Sequence, residues 1–180
     1  MKKMMYVLLI TVAVTGMGCK KDKNKNNSAN CNLPSTPVPA AMVGNWANGY
    51  NSSTHIVDAY NGQYLGNNWQ SGKYFHFSPD GKYAEFYYMA GSFTSQTATR
   101  VTGTVSFDEA EGSFVFHGCS GHYRGWQNGT LTLDRDATAA EVNEFFTQKY
   151  FYSFENSGGT TWMQIRFDPA GTPSSFRAVP

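Results

Sequence analysis

Turn chemistry recurs at short intervals along this chain, and it leaves room for little besides short strands. Asn61-Gly62 stands between tyrosines in Tyr60-Asn61-Gly62-Gln63-Tyr64. Ser78-Pro79-Asp80-Gly81 follows the aromatic run Tyr74-Phe75-His76-Phe77. Further on come Asp108-Glu109-Ala110-Glu111-Gly112, Asn128-Gly129 and Asn156-Ser157-Gly158-Gly159. Proline presets φ for the first corner of a turn, and Gly or Asn accepts the positive φ that tight hairpins require.

The segments between these turns are written for strands. From Arg100 to Phe107 the residues alternate: Val101, Gly103, Val105 and Phe107 share one face, Thr102, Thr104 and Ser106 the other. That is the period of a half-buried strand. All but one of the aromatic residues lie between Trp46 and Phe176, whereas Leu beyond the linker is confined to Leu65, Leu131 and Leu133. Aromatic, Thr- and Val-rich runs punctuated by Gly suit strands rather than helices. The reading places strands from Val43 toward Tyr50, over 54–58, at Tyr74–Phe77 and from Lys82 to Met89. Others follow over 100–107, 113–117, 122–126, 130–133, 149–155 and 160–167, and a last one passes through Phe176. One segment departs from the pattern. Thr138-Ala139-Ala140-Glu141 forms a capping box, with Val142, Phe145 and Phe146 on one helical face, so a single short helix is expected over about 139–147.

Eight to ten of these segments as short antiparallel strands in one domain imply a barrel or a sandwich, and a closed barrel leaves no edge strand exposed. Gly44-Asn45-Trp46 resembles the Gly-X-Trp opening of lipocalins. Tyr74 to Tyr83 resembles the aromatic hairpin around Asp-Gly in bacterial lipocalin-like lipoproteins. The resemblance implies an all-β, antiparallel up-and-down barrel over residues 40–180 with a central cavity for a small apolar ligand.

The N-terminus carries a second message. Met1-Lys2-Lys3 precedes an apolar run from Met4 to Val14, then Thr15-Gly16-Met17-Gly18-Cys19. A charged start, a short apolar segment and a small residue before the cut make a secretory signal; the run falls short of the roughly 20 residues needed to span a bilayer. Gly16-Met17-Gly18-Cys19 resembles the bacterial lipobox, which implies a signal peptide over 1–18 and lipidation of Cys19. Residues 20–30 hold no aliphatic side chain larger than Ala, so 19–39 reads as a lipidated Cys and disordered tether, stiffened by Pro34, Pro37 and Pro39. Lys20-Lys21-Asp22 also resembles surface-export signals of some Gram-negative lipoproteins. The expected setting is the cell envelope, with the lipid bilayer as partner through acylated Cys19. With Cys19 on lipid, Cys31 and Cys119 are the one possible intramolecular pair; an oxidising envelope permits a disulfide, but spacing alone leaves it open between a bond and two thiols.

Few residues announce chemistry. From Ala40 onward eight Lys or Arg stand against twelve Asp or Glu, which argues against a nucleic-acid surface. His117-Gly118-Cys119-Ser120-Gly121-His122 offers three metal ligands where a structural zinc site takes four, and the glycines favour a turn with surface histidines. Asp134-Arg135-Asp136 reads as a turn beside a helix start. No nucleophile elbow, zincin helix, phosphate loop or dinucleotide fingerprint occurs; no catalytic residue, metal or cofactor is expected. The remaining candidates are aromatic and polar side chains able to line a pocket: Trp46, Tyr74, His76, Tyr83, Tyr87, Trp126, Tyr152 and Trp162, with His122, Arg124 and Arg166. The leading expectation is a non-catalytic module for a small apolar or amphipathic ligand. The alternative is a structural or interaction protein contacting a protein or glycan through exposed aromatics. A hydrolase stands third.

Overall fold

The computed structural model describes residues 32–51, 55–57, 64–67, 69–92, 94–145 and 147–180. The expected signal peptide, Cys19, Cys31, the Lys-rich segment and the turn expected at Asn61-Gly62 lie outside the described residues. The described residues form eleven strands and one helix: β1 (Gly44–Asn51), β2 (His55–Val57), β3 (Tyr64–Asn67), β4 (Trp69–Phe77), β5 (Ala84–Ser92), β6 (Ser95–Asp108), β7 (Ser113–Gln127), β8 (Thr130–Asp136), α1 (Ala139–Phe145), β9 (Gln148–Ser157), β10 (Thr160–Arg166) and β11 (Ser174–Val179).

Eight of these strands close into a ring, β1-β4-β5-β6-β7-β9-β10-β11 and back to β1, every neighbour antiparallel. Ring order follows chain order, so this is the expected up-and-down β-barrel, interrupted twice. The β2–β3 pair is a separate sheet inserted between β1 and β4. β8 and α1 are inserted between β7 and β9. β7 is long enough to serve two partners: its first residues pair with β9, and its last turn away to pair with β8.

Local chemistry accounts for the β7–β8 turn and the start of α1. The β7–β8 turn is Asn128-Gly129, with φ of 49° and 76°, the positive pair a two-residue hairpin demands. The capping box forms as expected: Thr138 Oγ1 accepts from the Glu141 amide at 3.3 Å, and the Glu141 carboxylate accepts from the Thr138 amide at 2.8 Å. Val142 from α1 is buried.

Two expectations for β7 and β8 need correction. His117 to His122 is no turn. It runs inside β7 and carries a bulge: Thr102 opposes Ser120 while Gly103 opposes Gly118, so Cys119 is the extra residue. Glycine at 103 makes this possible, since a Cβ there would lie 2.0 Å from the His117 carbonyl oxygen. Asp134-Arg135-Asp136 is likewise strand, the end of β8, because it pairs with Arg124, Tyr123 and His122.

Cys119 is disulfide-bonded; Cys31, its expected partner, is not among the described residues. The segment over 34–42, expected as tether and linker up to residue 39, instead packs as a strap. Below the last β5–β6 pair, β6 would present a bare edge. The strap covers it: Thr36 N–H donates to Val105 O at 3.1 Å, and Phe107 N–H to Thr36 Oγ1 at 2.7 Å. Val38 and Met42 enter the core. The strap also explains why Thr104, on the polar face of its strand, is buried: its hydroxyl donates to Pro34 O at 2.7 Å.

Candidate functional site

The cross-strand register assigns each side chain to the inner or outer wall. Trp46, Phe75, Phe86, Val101 and Gly121 stand side by side across five strands, and Phe75 and Val101 are fully buried, so this row faces inward. Neighbours two residues away along each strand share that face. Toward the strap lie Phe77, Ala84, Val105 and Phe116, all buried. Phe75 is the hub. Its ring centroid is 4.9 Å from Phe86, 5.5 Å from Phe176, 5.6 Å from Phe77, 5.7 Å from Tyr150 and 6.0 Å from Phe114. Burial among these rings pushes the Tyr150 phenol up to about 12. This half of the barrel is a packed aromatic floor.

One row further from the strap the wall changes character. Asn48, Lys73, Tyr88, Thr99 and Tyr123 stand side by side, and Arg135 of β8 continues the row. The first five are half-buried, so solvent reaches the inner wall at this level. Lys73 Nζ is 3.5 Å from Ser174 Oγ, and Asn48 Nδ2 donates to Ser175 O at 2.7 Å. The Arg135 guanidinium lies 4.8 Å from the centre of the Tyr123 ring and is paired with Glu141. Above, the wall narrows to small side chains, Ser71, Ala90, Thr97 and Gly125, with Leu133 over Gly125. Among the described residues, Lys73 is the one charged side chain that the register assigns to the inner face of the eight-strand ring.

The residues singled out from sequence do not converge. Trp46 and Tyr152 point inward, but low in the barrel; the Trp46 indole N–H is committed to Met42 O at 2.9 Å. Tyr74, His76, Tyr87, His122, Arg124, Trp126, Trp162 and Arg166 belong to the outer face by register. Tyr83 precedes β5 and donates to Glu85 at 2.9 Å. Aromatic residues occupy both faces of β4 and β5, so composition cannot choose the wall. A usable signal did exist: Lys73, Phe75 and Phe77 are spaced by two, which puts the lysine on the face of the two buried phenylalanines.

On the outer face these side chains satisfy one another. Asn45 Oδ1 accepts from the Tyr74 hydroxyl at 2.7 Å and lies 2.7 Å from His76 Nδ1. Glu85 takes a two-pronged contact from Arg100, at 2.7 and 3.2 Å. His122 sits between Asp136 and Asp134, which also faces Arg124 at 3.3 Å. Hydrogen bonds to Asp136 and then Asp134 raise the His122 pKa. Among the described residues a serine–histidine contact is made by Ser106 Oγ and His117 Nε2, 2.8 Å apart, and burial lowers the His117 pKa. Among the described residues no carboxylate hydrogen-bonds to His117, whereas a catalytic base is oriented by a third group. Among the described residues no group of three or more His, Cys, Asp or Glu is placed to hold a metal ion, and no helix is long and apolar enough to cross a membrane. Comparison with protein-family models, curated proteins and solved structures returned no match for this chain.

Proposed function

We propose that this chain is an envelope lipoprotein, held to a membrane through lipid on Cys19, whose barrel binds a small apolar or amphipathic molecule without transforming it. The observation that carries the binding reading is the change of the inner wall at a single row. Below it most inward side chains, Phe75, Phe77, Val101, Val105 and Phe114 among them, are buried against one another; above it, half-buried polar groups and small side chains face the interior. A protein built only for rigidity has no need of a solvent-reached lysine on an inner wall, because burying the charge costs free energy unless it is paired. An apolar enclosure with a few fixed polar groups is the usual anatomy of a small-molecule site.

The anchoring half of the proposal rests on the charged start, short apolar run and Cys19, and is tested by membrane fractionation of Cys19→Ala. A variant that stays in the membrane fraction would refute it. The binding half is tested by native mass spectrometry of the chain purified from its host, with Trp fluorescence followed on titration of amphiphiles. A retained ligand or saturable quenching supports it, and neither signal at any amphiphile concentration refutes it.

The outer face favours a second reading. Tyr74 and Tyr87 are cross-strand neighbours and Trp162 is half-buried beside Glu155 and Arg177, an aromatic and polar surface of the sort that contacts a protein or glycan. Loss of partner capture on Tyr87→Ala, with barrel binding absent, would favour it over the first.

A further inference from the structure

Lys73 says more than that a ligand binds; it says what the ligand carries. Resting on the binding reading above, we infer that the ligand of this barrel has an anionic oxygen head group, a carboxylate or a phosphate, held at Lys73. Three observations converge. The inner face of the ring contains no Asp or Glu among the described residues, so nothing on that wall neutralises the ammonium. The group it donates to is a neutral hydroxyl, Ser174 Oγ at 3.5 Å, which can turn to donate to an anion. The other cation of the same row, Arg135, is already held by both oxygens of Glu141, at 2.7 and 2.9 Å, and is not available in the same way.

The apolar part of the ligand has a defined place as well. Phe75, two residues along the strand from Lys73, is fully buried, and its contacts with five other rings close the barrel below. The tail therefore lies above the floor, along Tyr88 and Ala90 and toward Leu133, which is 39% exposed. The site takes a compact anionic amphiphile with its head inward. It does not take a long chain threaded to the strap. From residue 40 onward twelve Asp or Glu stand against eight Lys or Arg, so non-specific attraction of anions to this part of the chain is weak.

The test uses the full chain and four probes of one chain length: dodecanoate, dodecyl phosphate, dodecanol and dodecylamine, each below its micellar concentration, with affinities read by native mass spectrometry. The two anions are expected to bind at least ~10-fold tighter than the alcohol, the gain of one charge-assisted hydrogen bond. Lys73→Gln should remove that preference, a loss of ~10–100-fold for the anions, and leave dodecanol binding unchanged, which also shows that the variant is folded. Lys82→Gln, on an exposed turn, should keep the preference. The stronger of the two anion arms identifies the head as carboxylate or phosphate. Equal binding of alcohol and anions, tightest binding of the amine, or an anion preference that survives Lys73→Gln would overturn the head-group inference while leaving the binding reading standing. Failure of all four probes to bind would overturn both.

Discussion

Replacing Phe75 by alanine separates the two walls of the barrel energetically. Phe75 and Tyr74 are adjacent, both aromatic and both in β4, yet one is 1% exposed and the other reaches solvent on the outer face. Removing a fully buried phenylalanine ring loses its transfer free energy and leaves a cavity, together about 3–5 kcal/mol. Five ring contacts surround the site, and aromatic side chains on opposite strands are poorly able to collapse into the gap, which favours the upper part of that range. In a domain of this size each kcal/mol moves the midpoint by about 2–4 °C, so Phe75→Ala should lower Tm by roughly 6–20 °C. Tyr87→Ala, one row across on the outer wall, should cost within about 1 kcal/mol. Urea and thermal unfolding followed by far-UV circular dichroism would measure both. Equal destabilisation by the two variants would refute the assignment of walls, and with it the placement of Lys73.

Other consequences are as direct. Gly103→Ala should destabilise the barrel by about 1–3 kcal/mol, since the new methyl meets the His117 carbonyl across the bulge; a Tm equal to wild type would show that the bulge yields freely. Reduction of the Cys119 disulfide should cost about 2–4 kcal/mol, and peptide mapping without reductant should link Cys119 to Cys31; a link to any other thiol would change the account of the strap. Thr138→Ala should cost about 1 kcal/mol through loss of the helix cap, read by the same unfolding curves. His122 has a raised folded-state pKa, so its favourable contribution is complete below the unfolded value of about 6.5 and is lost as pH rises through the folded value. Because the pair is more than a third exposed, the effect on stability is small. An NMR titration should show His122 above its ordinary value, and Asp136→Asn should bring it down; an unchanged titration would remove Asp136 as the first cause.

How much was legible depended on how local the physics was. Turn residues act on their own φ angles, so Asn128-Gly129 and Pro79-Asp80-Gly81 could be read directly, as could the Thr138–Glu141 capping box, whose hydrogen bonds span three residues. The alternation of Val101, Val105 and Phe107 likewise marked an inner face without any partner strand in view. Counting such segments led to a barrel or a sandwich, and the resemblance to lipocalins implied the up-and-down barrel. The site did not follow, because the choice of wall for Tyr74, His76, Tyr87 and His122 depends on which neighbours they meet across the sheet.

What the amino-acid sequence determined by itself, then, was the menu of elements: short strands, their turns and one capped helix. Tertiary structure alone decided the register, the bulge that makes Cys119 an extra residue and keeps His117 to His122 in one strand, and the strap that turns part of an apparent linker into core. Each of these is set by contacts between residues far apart in the chain, where a shift of one position exchanges inside for outside. Lys73 is the sharpest case: an unremarkable surface-type residue in sequence, it becomes the lone described charge on the ring's inner wall only once all eight strands are laid side by side.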